Sequence, residues 1–178
     1  ISTGGITISG GEILAQPEFT RAVLRNCRAE CMHTAIETSF FAPWETIKSI
    51  LPYVNLAFVD MKFFSNDLHK QYTGVDNELI KQNLLATNEL EDKFQLVIRT
   101  PIIPGLNDSE EELCKIGEFC TKLKKLSYVQ LLPYHKLGTA TYEKLGRTYA
   151  LPDIKSPTPD QMAGYVKIIE RYVENVIF

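Results

Sequence analysis

The stretch Ile6-Thr7-Ile8-Ser9-Gly10-Gly11-Glu12 decides how the rest of the chain is read. Its opening residues are apolar and β-branched, the pattern of a short buried strand. Ser-Gly-Gly-Glu follows at once. Two adjacent glycines let the main chain turn sharply and let a ligand lie against bare backbone. Glu12 sets a carboxylate beside that backbone. Pro17 and Glu18 suit a first helical turn, and Phe19, Val23, Leu24 and Cys27 then share one face. The stretch is therefore a glycine-rich, acid-tipped turn at the C-terminal end of a strand. Parallel α/β proteins build their sites at that end.

Working outward, the same strand-then-helix rhythm recurs five times. His33 to Ser39 reads as a second strand, and Pro43-Trp44-Glu45 starts a helix through Leu51. Asn55 to Lys62 is a third strand. Helical pieces follow near Asp67–Tyr72 and Asn77–Leu90, parted by Gly74. Phe94 to Thr100 is a fourth strand, and Asn107-Asp108-Ser109 is a good cap for a helix running to about Lys124. Ser127 to Leu132 is a fifth strand. An irregular stretch from Pro133 to Pro159 leads to a last amphipathic helix ending near Val176. The repeat of about 30 to 35 residues is the size of a βα unit. Mostly apolar strands are those of a parallel sheet covered on both faces. With 178 residues the chain is too short for a closed eight-stranded barrel, which needs about 250. The expectation is one α/β domain over residues 1–178 whose five parallel strands form a partial, open barrel or a doubly wound sheet.

Composition narrows the function classes. A net charge of −3 gives no basic footprint for nucleic acid. No apolar run approaches the ~20 residues that span a membrane, and no secretory signal opens the chain. Cys27, Cys31, Cys114 and Cys120 all fall in helical patterns and read as reduced thiols of a cytoplasmic protein. Cys27 and Cys31 share a Cys-x3-Cys spacing, but no further ligand follows in register. Buried helix-face thiols are the better reading than an iron–sulfur centre.

Polar residues recur where the strands end: Gly10, Gly11 and Glu12; Glu37, Thr38 and Ser39; Asp60 and Lys62; Arg99; then Tyr134 and His135. In a parallel sheet these ends share one rim. Lys62 and Arg99 close apolar strands and need partners or an anion. Acceptors, cations and open backbone together complement a zwitterionic amino acid, with room for a nucleoside near Tyr134 or His135. Each residue alone has a structural explanation; the rim needs that explanation five times over.

The ordered series Ser9–Glu12, Ile36–Ser39, Asp60–Lys62, Tyr72–Val75, Val97–Pro101, Pro104–Asp108 and Leu132–Gly138 resembles the radical S-adenosylmethionine (SAM) enzymes. Within them it is similar to the activating enzymes of glycyl-radical enzymes, such as that of pyruvate formate-lyase. The resemblance covers nearly the whole chain. It implies a partial (β/α)6 barrel, of which five βα units stand here. It also implies SAM and a [4Fe-4S] cluster as cofactors, an oxidoreductase of anaerobic metabolism, a glycyl-radical enzyme as protein substrate, and flavodoxin or ferredoxin as electron donor. One electron from the cluster cleaves SAM to a 5′-deoxyadenosyl radical, which takes hydrogen from a glycine of the partner. By the same resemblance Gly10, Gly11 and Glu12 hold the SAM amino group, and Lys62 and Arg99 face its carboxylate. Glu37 and His135 lie by the ribose and adenine, with Ser39 beside them, and Glu37, Thr38 and Asp60 form a monovalent cation site.

Three departures stand out. The Cys-x3-Cys-x2-Cys cluster motif of the family is absent, so the chain is expected to be a core domain lacking its first βα unit and inactive alone. Ile13 replaces the usual proline after Gly-Gly-Glu. Phe40 stands where glycine is common. Competing expectations are a Schiff-base lyase with Lys62 as nucleophile and a non-catalytic protein-binding domain. The Leu132–Gly138 block also suits the activating enzymes of glycerol dehydratase or hydroxyphenylacetate decarboxylase, which carry a ferredoxin-like insert.

Overall fold

The computed structural model describes residues 4–136, 144, 146, 148, 149 and 151–178. Leu137 and Gly138, the end of the Leu132–Gly138 block, lie outside them. Strands β1 (Gly5–Ile8), β2 (His33–Thr38), β3 (Leu56–Asp60), β4 (Gln95–Ile102), β5 (Leu126–Pro133) and β6 (Val176–Ile177) form one sheet in sequence order. Every pairing is parallel. Helices α1 (Pro17–Ala29), α2 (Trp44–Ile50), α3 (Asn66–Thr73), α4 (Glu78–Ala86), α5 (Glu110–Cys120) and α6 (Pro159–Ile169) fill the crossovers.

The strand order decides between the two expected architectures. A doubly wound sheet reverses its order at a switch point. Here the order never reverses, and right-handed crossovers then lay successive helices on one face. The molecule is a partial parallel barrel. Its outer face carries Ile36, Ala57, Val59, Leu96, Ile98, Val129 and Leu131, all buried in one core. Helix residues Leu24, Ile47, Leu84, Leu113, Ile116 and Met162 belong to the same core. The opposite parity holds Glu37, Phe58, Asp60, Arg99 and Gln130, each only partly buried. Period-two alternation thus separates core from site on the same strands.

Several sequence expectations need correction. Among the described residues β1 pairs with β2 alone, and its residues alternate between exposed and half-buried. Phe19 is 65% exposed, while Thr20 and Leu24 carry the buried face of α1. Cys31 lies beyond α1, at a φ of 56°. α5 stops at Cys120, before Lys124. α6 ends at Ile169, and Val176–Ile177 forms a sixth strand on β5, where only helix was expected. No helix among the described residues is long and apolar enough to cross a membrane.

Phe40 explains its own departure from the family pattern. Its φ is 57°, the left-handed region that favours glycine. That conformation costs about 1–2 kcal/mol for an L-residue. The ring is fully buried in the core, which offsets the strain. Buried Asn83 fixes the turn by donating to the carbonyls of Phe40 and Ala42, both at 2.9 Å. Emptying a buried phenylalanine site costs about 3–5 kcal/mol, more than the strain relieved. Phe40→Gly is therefore expected to destabilise the chain by roughly 2–3 kcal/mol in urea unfolding. A neutral or stabilising effect would show that the ring contributes little.

Candidate functional site

The C-terminal rim of β1 to β4 encloses a cavity of about 310 Å³. Ser9, Gly10, Gly11, Glu12, Glu37, Thr38, Ser39, Asp60, Lys62 and Arg99 line it. Nearly all the residues expected at the site are thus brought together. The exception is His135, which follows β5, is exposed and does not line this cavity.

Parallel register builds the charged floor. Glu37 on β2 pairs with Phe58 on β3, and Asp60 on β3 with Arg99 on β4. The Arg99 guanidinium lies 5.2 Å from the Phe58 ring centroid. From there its Nε donates to Asp60 Oδ1 at 3.1 Å, and its NH1 to Glu37 Oε1 at 3.0 Å. One side chain therefore ties three adjacent strands. The Arg99 side chain is only 15% exposed, so its charge needs those partners. Lys62 Nζ meets Asp60 Oδ2 at 3.3 Å and is 40% exposed. Ser9 Oγ donates to Glu37 Oε2 at 2.9 Å. Burial raises the Glu37 pKa, but the bonds from Arg99 and Ser9 and the Arg99 charge leave it below the ordinary 4.5.

Glu12 is held differently. Its Oε1 accepts from Leu14 N at 3.0 Å and Thr38 Oγ1 at 2.6 Å. Its Oε2 accepts from Ser39 N at 3.0 Å and Ser39 Oγ at 2.6 Å. Gly10, at a φ of 134°, makes the turn that brings the carboxylate round. A Cβ on Gly10 or Gly11 would meet nothing within 4 Å, so this main chain is open to the cavity. Ile13 starts the next short 3-10 turn with its side chain buried.

Glu37, Thr38 and Asp60 were also expected to hold a monovalent cation. Arg99 bridges the two carboxylates, and Thr38 Oγ1 donates to Glu12 and accepts from Phe40 N. No group of three or more His, Cys, Asp or Glu poised to hold a metal occurs among the described residues. The four cysteines are free thiols, and none lines the rim cavity. Cys27 and Cys31 lie where α1 runs into the start of β2, the end of the sheet away from the rim. Cys120 is buried, and desolvation pushes its thiol up to about 12. These residues do not fit an iron–sulfur cluster at the rim.

SAM is a better match. Three carboxylates against two cations leave the lining one net negative charge, opposite to a sulfonium amino acid. Hydrogen-bonding capacity is open where it is needed. Glu37 and Asp60 each accept two protein bonds, and a carboxylate has about four acceptor positions. Sequence reasoning missed Ser9 and Phe58 as site residues. Ser9 stood inside the quoted motif, and Phe58 lies two residues before Asp60 on the same strand face.

With the site described, comparison with known proteins gives the class. No family model matches the chain. The Escherichia coli coproporphyrinogen III oxidase HemN, a radical SAM enzyme, shares the fold, with a TM-score of 0.65 at 15% identity over 96% of this chain and 40% of that one. A domain of the Bacteroides vulgatus pyruvate-formate lyase-activating enzyme superposes with a TM-score of 0.80 at 28% identity, covering 98% of this chain and 99% of that one. The fold is that of the radical SAM proteins.

Curated relatives take this further. The indoleacetate decarboxylase activating enzyme of Tractidigestivibacter scatoligenes is 36% identical over 169 residues, 95% of this chain and 53% of its own length. The 4-hydroxyphenylacetate decarboxylase activating enzyme of Clostridium scatologenes is 38% identical over 176 residues, 99% of this chain and 55% of its own. Homologues of this chain are thus activating enzymes of glycyl-radical enzymes. The chain spans about half the length of the curated relatives it matches.

The Glu12 staple has a pH signature. Burial raises its pKa, but the bonds from Ser39, Thr38 and Leu14 outweigh that and lower it from 4.5. A depressed folded pKa contributes stability above the unfolded value, lost as pH falls through the folded one. Glu12→Gln cannot accept at both positions. It should cost about 2 kcal/mol at pH 7, with the deficit shrinking once pH drops below about 4.5. Denaturant titrations of both proteins at pH 7 and pH 3.5 measure this. A deficit that grows on acidification would contradict it.

Proposed function

We propose that this chain is the SAM-binding core of an enzyme that activates a glycyl-radical enzyme. The observation that carries the reading is the rim cavity, with its net negative lining, open Gly10–Gly11 backbone and two cations. The turn from Gly10 to Glu12 faces the amino group of SAM. Lys62 and Arg99 face its carboxylate, and Glu37 presents acceptor positions to the ribose, with Ser39 beside it. His135, exposed just past β5, is assigned to the adenine side by the resemblance. With Glu37 and Asp60 bridged by Arg99 and Thr38 bonded to Glu12, the monovalent-cation reading gains no support.

SAM, together with a reduced [4Fe-4S] cluster, supplies the one-electron chemistry that removes hydrogen from a glycine of the partner. What this chain's residues contribute is orientation. Fixed charges on three strands hold the amino acid end of the ligand, and the partial barrel limits water around it. The ligands of the cluster are no part of the lining described here. The protein substrate is a glycyl-radical enzyme, a reading supported by relatives named as activating enzymes of decarboxylases, and the electron donor is a flavodoxin or ferredoxin. The free cysteines support a cytoplasmic setting. Lys62, ion-paired to Asp60, gives the Schiff-base reading no support.

The charge of the lining gives a direct test. Isothermal titration of the chain with SAM and with ATP is expected to show binding of SAM and at least about tenfold weaker binding of ATP, whose phosphates meet three carboxylates. Preference for ATP, or no binding of SAM, would overturn the assignment.

A further inference from the structure

Acceptor capacity separates the three carboxylates of the rim. Glu37 and Asp60 each take two protein donors. Glu12 takes four, two on each oxygen. A carboxylate has about four lone-pair positions, so Glu12 has none left for a ligand. Its donors come from both sides of the cavity mouth. Leu14 belongs to the 3-10 turn that follows the glycines; Thr38 and Ser39 end β2. Thr20 Oγ1 secures the same turn by donating to Ile13 O at 2.9 Å. No backbone pairing joins Gly10 and Gly11 to β2, because the β1–β2 register stops at Ile8 and Ile36. Past that point the Ser9–Glu37 bond and the Glu12 carboxylate continue the junction, and Glu12 is the one that reaches across from beyond the glycines.

We propose that Glu12 is a positioning residue: its carboxylate pins the Gly10–Gly11 turn to the end of β2 and does not itself contact the ligand amino group. The amino group is left to the open main chain of the turn, while Glu37 and Asp60 supply the charge. This rests on the SAM-site reading above. It deepens that reading by assigning the acidic residue of the motif to the wall of the site. Two consequences follow. Glu12 acts through Thr38 and Ser39, so loss of either donor imitates loss of the carboxylate. The effect also falls on the whole ligand, because what is lost is the shape of the turn.

The test uses S-adenosylhomocysteine and its analogue lacking only the amino group, titrated calorimetrically into the wild-type chain, Glu12→Gln and Thr38→Val. Positioning predicts that Glu12→Gln weakens both ligands by the same factor, about tenfold, and that Thr38→Val weakens both in the same direction. A loss confined to the amino-bearing ligand would overturn the proposal, as would a Thr38→Val chain that binds that ligand unchanged or more tightly. Folded Glu12→Gln with unchanged affinity for both would reduce Glu12 to a purely structural residue and also overturn it. Amide exchange on the ligand-free proteins keeps the outcomes separable. Glu12→Gln should speed exchange at Leu14 and Ser39 while the strands of the core stay protected; unchanged exchange at those two amides contradicts the pin. If wild type binds neither ligand, the SAM-site reading fails, and the exchange result alone decides the role of Glu12.

Discussion

The guanidinium of Arg99 is the constraint around which the site is organised. It is largely buried, and a buried cation must find anions within the rim. Parallel register supplies them on neighbouring strands, Asp60 directly opposite and Glu37 one strand further, with the Phe58 ring as the floor between. Removing one partner would leave a charge stranded in a half-buried cavity, which costs far more than an exposed pair is worth. The network thus fixes the relative placement of β2, β3 and β4 at the end where they leave the sheet. Because the fixed groups still have open acceptor and donor positions, the same arrangement that satisfies Arg99 is prepared for a zwitterionic ligand.

Around that floor, a set of buried polar side chains holds the loops. Asn107 donates to the carbonyls of Lys62 and Pro101 and accepts from Ile103 N, fastening the loop after β4 to the residue that carries the exposed cation. Asn77 donates to the carbonyls of Phe63 and Phe64, and Glu112 accepts from the amides of Phe64 and Ser65. Thr100 Oγ1 donates to Met61 O. Buried backbone groups need partners, and these side chains supply them where regular pairing stops. Asn107 gives the block Pro104–Asp108 a structural role, and in Tyr72–Val75 the Tyr72 ring stacks on Phe63. Neither block lines the rim cavity.

Much of this was legible in the sequence. The repeat length, the apolar strands and the polar residues at their ends gave the βα units and the convergence of Glu12, Glu37, Lys62 and Arg99. That followed from simple periodicities. What periodicity does not carry is the neighbour across space. Ile6 and Ile8 look like buried strand residues, but β1 has a partner on one side only among the described residues. Phe19 fits the apolar stripe of Leu24, but it lies outside the core that Leu24 enters. Val176 and Ile177 are too few to signal a strand, and only β5 beside them makes one. Phe40 has the most local cause of all. Its left-handed backbone is imposed by Thr38 and Asn83, and no property of phenylalanine announces it. The saturation of Glu12 was equally hidden, since it depends on four donors from two separate elements.

A crystal structure of the chain soaked with S-adenosylhomocysteine tests the central claim most directly. The account predicts ligand density in the rim cavity, its amino acid end between the Gly10–Gly11 main chain and the Lys62 and Arg99 side chains, over the Phe58 floor. Density at another face of the molecule, or Glu37, Arg99 and Asp60 found scattered from one another in the crystal, would contradict it.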